Sequence, residues 1–188
     1  MALTLYTIGH GNDPLEVFLE RLAQHHIGAL VDVRSVPYSR YVPHFNRQAL
    51  QASIEAAGLA YRYAGDYLGG RPEGPEGYKG GVMPPEDLAR GGYLGVVDYK
   101  GVARGEKYQK GLRHLLRLVA ESPSPLTIMC SEWNPHECHR HHLITRSLLD
   151  PRWRMGDLAE VAVVHLLKEG QEAVGPADFE GAEQLELF

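Results

Sequence analysis

The sequence has only two cysteines, Cys130 and Cys138, in 188 residues. That excludes a disulfide-built secreted scaffold and leaves free thiols, ligands or a redox pair. No apolar run reaches the length of a membrane span, and the opening Met-Ala-Leu-Thr-Leu-Tyr has neither a basic stretch nor a cleavage site. A cytoplasmic protein without a membrane partner is therefore expected. Overall basic charge is also missing, since the formal net charge is -5. Six of the 24 acidic residues fall in 169–188, which has no Lys or Arg, leaving 18 acidic against 19 basic groups in the body. Such a body is nearly neutral, so binding nucleic acid would need a local basic surface. With 44% hydrophobic and 23% charged residues, the composition excludes collagen-like, disordered and coiled-coil chains, and the length suits one domain.

Strand and helix patterns alternate along the chain. Residues 3–8, 29–33, 59–64, 126–130 and 161–166 read as strands. Between them lie helical patterns. The first has Asp13 as N-cap, Pro14 at the first position and Leu15, Phe18, Leu19 and Leu22 on one face. The second runs over 47–57, capped by Asn46 and stopped by Gly58; the others cover 106–120 and 135–149. Helices between strands predict a three-layer α/β/α sandwich, Rossmann-like, with a mostly parallel sheet of roughly five strands. Residues 65–104 break the rhythm with 11 of the 21 glycines, and read as a Gly/Pro-rich insertion and candidate lid. The division expected is one domain over 1–168 and a flexible acidic tail over 169–188.

Ligands of open parallel sheets sit beyond the carboxyl ends of the strands. Polar residues gather there: His10 after the first strand, Asp32, Arg34 and Ser35 at the second, and Cys130, Ser131 and Glu132 at the fourth. His10, Asp32 and Glu132 are candidates for acid/base work, and Cys130 for a nucleophile or ligand. A helix starting at Asn134-Pro135 would aim free amides at the same edge, where Arg34 and Arg140 could clamp a phosphate. Its bland counterpart is a well-capped helix whose Arg140 pairs with a carboxylate, and Cys130 reads equally as an inert core thiol. An Arg six positions after the cysteine would suggest a phosphatase loop; His136 stands there instead. Between Arg34 and Asn46, Arg40 alternates with Tyr38, Tyr41 and Phe45, a loop suited to holding phosphate and stacking bases, or to covering the sheet edge. His136, Cys138, His139, His141 and His142 crowd seven positions, and Cys138 with His142 has the helical spacing of two metal ligands. No motif names a cofactor.

Several blocks, in order, resemble the signature of the domain-of-unknown-function 488 family: Thr-Ile-Gly-His-Gly-Asn at 7–12, Asp-Val-Arg-Ser-Val-Pro at 32–37 with Ser39, Arg40, Phe45 and Asn46, Tyr-Leu-Gly-Gly at 67–70, and Cys-Ser-Glu at 130–132 with Pro135, Cys138, His139 and Arg140. Gly11 and Ser131 depart from the Ser and Ala of that pattern. The resemblance, over roughly 3–166, implies an α/β fold and a polar pocket built from Asn46, His139 and the other block residues. It implies no reaction. The final residues, Gln184, Leu185, Glu186, Leu187 and Phe188, resemble the peptide by which bacterial polymerases and repair proteins dock on the replication sliding clamp. There Gln184 and Leu185 would anchor one end of a groove, and Leu187 with Phe188 would fill an apolar pocket.

Together these readings predict a DNA-transaction protein, repair-associated and clamp-recruited, whose pocket takes a phosphate-bearing nucleotide or nucleic acid and whose chemistry, if any, is hydrolytic. Two other classes fit the same residues: a small-molecule enzyme using Cys130 for thiol or sulfur-transfer chemistry, and a non-catalytic nucleotide-binding adaptor.

Overall fold

The computed structural model describes residues 3–85, 88 and 92–180; the docking peptide at 184–188 lies outside the described residues. The elements are β1 (Leu3–Gly9), α1 (Leu15–Gln24), β2 (Ala29–Asp32), α2 (Arg47–Ala56), β3 (Ala60–Tyr63), α3 (Gly65–Leu68), α4 (Tyr93–Val96), α5 (Tyr99–Arg104), α6 (Glu106–Glu121), β4 (Leu126–Cys130), α7 (Arg146–Leu149), β5 (Val161–Leu166) and β6 (Gln171–Val174). They build one six-stranded sheet in the order β3-β2-β4-β1-β5-β6. The first five strands pair in parallel, as the alternation predicts, and β6 closes the edge antiparallel to β5.

The period of two along each strand sorts the core into two layers. Leu5, Val31 and Ile128 face Leu112 and Leu115 of α6 together with Ile144 and Leu148. Their neighbours Ile8, Leu30 and Met129 face Phe18 and Leu22 of α1 and Leu50 and Ile54 of α2. Helices therefore cover both faces, which makes the three layers. The glycine-rich insertion packs onto the first layer through Leu68, Tyr78, Val97, Tyr99 and Ala103. Among the described residues no helix is long and apolar enough to cross a membrane.

Four local expectations give way to tertiary contacts. The first helix begins at Leu15 without a side-chain cap, because the buried Asp13 carboxylate instead accepts from Arg21 at 2.6 Å and lies 3.1 Å from the Lys168 ammonium. Asn46 does occupy the N-cap position of α2, yet its side-chain oxygen accepts from the Ser39 amide, at 2.6 Å, and so ties down the preceding loop. The helix expected over 135–149 is broken. Pro135–Glu137 makes one 3-10 turn with the Asn134 side chain accepting from the His136 amide, then Cys138 is extended, at φ -138 and ψ 145. Arg140–Thr145 resumes as a π-helical turn, with the Thr145 hydroxyl donating to the Arg140 carbonyl at 2.8 Å, and runs into α7. Such widened turns concentrate at functional sites. Finally, the tail does not begin at 169. Gln171–Val174 is the sixth strand, and the 3-10 turn at Pro176–Phe179 buries Phe179 with its ring 5.0 Å from His141. A four-residue edge strand with one buried apolar side chain, Val174, carries too little periodicity to be read from sequence.

Candidate functional site

After β1 and β2 the chain crosses to the α1/α2 layer, whereas after β4 it crosses to the α6 layer. Neighbouring strands whose connections leave on opposite faces open a crevice at their carboxyl ends. Here that crevice lies beside the end of β4, where Cys130 stands. Gly9 allows the close approach: a Cβ there would fall 1.9 Å from the Glu132 carbonyl oxygen. The chain after β4 accordingly runs alongside β1, with the His10 and Gly11 amides donating to the Cys130 and Ser131 carbonyls.

Behind the crevice a buried polar network links three strands. The fully buried Asp32 carboxylate receives two bonds from the Arg34 side chain, at 2.9 and 2.6 Å, one from the Arg34 amide and one from the Tyr61 hydroxyl at 2.8 Å. Burial, with the Asp32 charge next, pushes the Tyr61 phenol far up and keeps it a donor. His10 completes the network. Its Nδ1 donates to the Gly11 carbonyl at 2.8 Å, which leaves Nε2 to accept from Arg34 at 3.2 Å, and its ring stacks on Phe45 with centroids 4.2 Å apart. The Gly11 carbonyl on one side and the Arg34 guanidinium on the other thus set the tautomer.

In front lies the cysteine pair. Cys130 and Cys138 are both buried and free, and His139 Nδ1 stands 3.4 Å from the first sulfur and 3.7 Å from the second. His139 Nε2 donates to the Val33 carbonyl, 3.2 Å away, so the Nδ1 lone pair is the one aimed between the thiols. The hydrogen bond to Cys138, then burial, push the Cys130 thiol well above its ordinary value. Burial also works to raise Cys138, but the interaction with Cys130 and the Arg140 charge act against it, and that thiol lies well below the ordinary value. Arg140 is fully buried; its guanidinium braces the Glu132 and Trp133 carbonyls, and its amide points at Cys138 Sγ.

A cleft of about 80 Å³ opens over this cluster. Arg34, Ser35, Cys130, Ser131 and Glu132, from the ends of β2 and β4, line it together with His139 from the block that resembles the family signature. Its other wall comes from the insertion, through Gly70, Arg71, Tyr93, Leu94 and Tyr99, none singled out as a site residue from the sequence. Arg71 directly follows the Tyr-Leu-Gly-Gly block, the one signal that pointed here. His10 and Asp32 sit behind the cleft in the buried network, and Arg140 beneath it. Arg40 is exposed on its own loop, bonded to the Tyr41 hydroxyl at 2.7 Å, and Asn46 holds Ser39. His142 bonds the His136 carbonyl at 2.7 Å, so Cys138 is grouped with Cys130 and His139 rather than with His142.

Gly70 is part of the cluster's geometry, because a Cβ there would come within 2.5 Å of the His139 ring. Gly70→Ala should cost about 1 kcal/mol or more through this overlap, and should tilt the imidazole away from the sulfurs. Denaturant titration reads the first effect, and the His139 imidazole signals in an NMR spectrum read the second; unchanged spectra would contradict the packing.

His141 and His165 form a second, separate group. His165, fully buried, lies 2.7 Å from the Thr7 hydroxyl through Nδ1 and 3.0 Å from His141 Nδ1 through Nε2. Burial first, then the neighbouring histidines, lower His141 to about 3; burial, then His141 and Arg140, lower His165 to about 3. These rings are neutral core groups.

No curated protein and no solved structure matches the chain. The family described as Domain of unknown function DUF488 matches residues 14–147, which takes in Arg34, Gly70, Cys130, Cys138 and His139 but not the block at 7–12. Because that match spans well over half of its length, the chain belongs to the DUF488 family.

Proposed function

We propose that the cleft is the active site of an enzyme of DNA metabolism, hydrolysing a bond in a phosphate-bearing substrate. The observation that carries this reading is Arg71. It is exposed at the cleft wall, stacked over the Tyr93 ring at 4.1 Å, and among the described residues no carboxylate pairs with it. An unpaired guanidinium facing a polar cleft suits an oxyanion. The cleft, near 80 Å³, exceeds several times over the roughly 10–15 Å³ that a single water needs, which leaves room for a phosphoryl group with the rest of a nucleotide outside. Glu132, in the opposite wall, is the group assigned to proton transfer in this reading, and the Cys130, Cys138 and His139 cluster forms the floor.

Thermal-shift titration with phosphate, nucleoside monophosphates and a 5′-phosphorylated oligonucleotide tests it. At least one of these should stabilise the protein, and Arg71→Ala should weaken that ligand about tenfold or more, the weight of one charge-assisted contact. Indifference of the protein to all of them, or of the affinity to Arg71, overturns the reading.

The tail supports delivery of this site to DNA. A nearly neutral domain binds DNA weakly, whereas a peptide such as Gln-Leu-Glu-Leu-Phe at 184–188 on a ring already loaded on DNA raises the local substrate concentration. The full chain should bind purified sliding clamp, and a chain ending at Glu183 should not; equal binding by both, or none by either, removes clamp recruitment.

A further inference from the structure

We infer that Cys130, Cys138 and His139 are the protein ligands of a single divalent metal ion of the zinc class, seated at the floor of the cleft. The role of that ion in catalysis rests on the reading above; its binding does not.

Three independent features of the fold point to the ion. The first is spacing. Zinc–sulfur bonds of about 2.3 Å and zinc–nitrogen bonds of about 2.0–2.1 Å set ligand atoms of a tetrahedron roughly 3.5–3.8 Å apart. His139 Nδ1 lies 3.4 and 3.7 Å from the two sulfurs, and all three atoms fall within 4.8 Å of one another. The second is orientation. A metal-binding imidazole characteristically donates its other N–H to a carbonyl or carboxylate, which fixes the tautomer and aims the lone pair. His139 does this through the Val33 carbonyl at the end of β2. The third is the way the backbone is bent to assemble the set. Cys138 and His139 are consecutive, and a continuous helix would send their side chains about 100° apart. The extended backbone at Cys138 breaks the helix and lets both face Cys130. An inert thiol core would need none of these arrangements.

The ligand chemistry selects the ion. Two thiolates and an imidazole are soft to borderline donors that suit zinc, with cobalt(II) as a spectroscopic substitute, and not magnesium or calcium. Three protein ligands leave a tetrahedral position over, and the cleft reaches all three residues, so that position opens toward the space between Arg71, Ser35 and Glu132. Closed four-ligand sites are structural, whereas sites with a free position hold water or substrate.

The test is elemental analysis of the full chain purified in reducing, chelator-free buffer, followed by cobalt substitution. The expected result is about one zinc per chain and, with cobalt, a thiolate-to-metal absorption band accompanied by tetrahedral visible bands. His139→Ala and Cys138→Ser should lose the ion and the band, while His142→Ala, which removes the competing helical pair, should keep both. Should the first two variants fail to fold, the spectrum of the unaltered protein still decides. A protein that takes up neither zinc nor cobalt, or that loses the ion with His142→Ala and keeps it with His139→Ala, overturns the inference. Metal content and phosphate-ligand binding are scored separately: a metal-free protein whose ligand binding still depends on Arg71 sinks the ion alone, and a loaded protein indifferent to phosphate compounds sinks the substrate reading alone.

Discussion

Asp32→Ala should lower stability by about 3–5 kcal/mol, a large part of what a domain of this size has. Arg34 is nearly as buried as Asp32, and the Asp32 carboxylate takes two of its side-chain bonds. Removing the carboxylate leaves a buried cation bonded to the His10 ring without a counter-charge, and it strips the Tyr61 hydroxyl of its acceptor as well. The expected cost is that of an uncompensated charge, not the net worth of the pair. A double variant, Asp32→Leu with Arg34→Met, should therefore recover much of the loss, since an apolar pair of similar volume escapes both desolvation costs. Urea denaturation of the two single variants and the double one gives the coupling directly. A cost below about 1 kcal/mol for Asp32→Ala would mean that the network is solvated and that Arg34 is free for a ligand. The full cost would make Arg34 a fixed wall of the cleft, and leave Arg71 as its mobile cation.

What was legible in the sequence divides along the same physical line. Helices α1, α2 and α6 follow from apolar periodicity, because each buries one face, and strands β1 to β5 follow as short, largely apolar runs between them, the central ones buried on both faces. Strand ends are also readable, and Arg34, Ser35, Cys130, Ser131 and Glu132 line the cleft together. Sequence position could not give the direction in which polar side chains turn. Arg140 has the spacing of an anion clamp, yet its guanidinium points down to the Glu132 and Trp133 carbonyls. Cys138 and His142 have helical ligand spacing on a segment where the helix is interrupted. Arg71 and Tyr99 reach the cleft from an insertion without periodicity, held there by long-range contacts such as the Tyr99 hydroxyl donating to the Gly70 carbonyl. Local rules assign elements; tertiary contacts assign polar side chains their partners.

The same distinction makes stability depend on acid through a residue far from the cleft. Unfolded, His165 takes up a proton near pH 6.5. Folded, it sits without solvent exposure between the Thr7 hydroxyl and His141, and the single proton bridging the two rings has no room for a second, so it stays neutral to about pH 3. Burial is the main cause, with the His141, Arg140 and His136 charges acting in the same direction. Between those two values the unfolded chain binds one more proton than the folded one at this site, so stability is fully present above pH 6.5 and is lost as pH falls toward 3. The limiting slope is about 1.4 kcal/mol per pH unit, and the loss at pH 4 comes to about 3 kcal/mol. Carboxylates such as Asp150, which burial would raise but the bonds from Arg152 and Arg146 hold below its ordinary value, also contribute to acid unfolding, from the ordinary carboxylate range downward. His165→Gln separates the two contributions. Its amide does not titrate, so the difference in unfolding free energy between pH 7 and pH 4 should shrink by about 3 kcal/mol relative to the unaltered chain, whatever the substitution costs at pH 7. An undiminished difference would show that His165 already takes up its proton in the folded protein, and that Thr7, His165 and His141 are not the closed, neutral row that their distances describe.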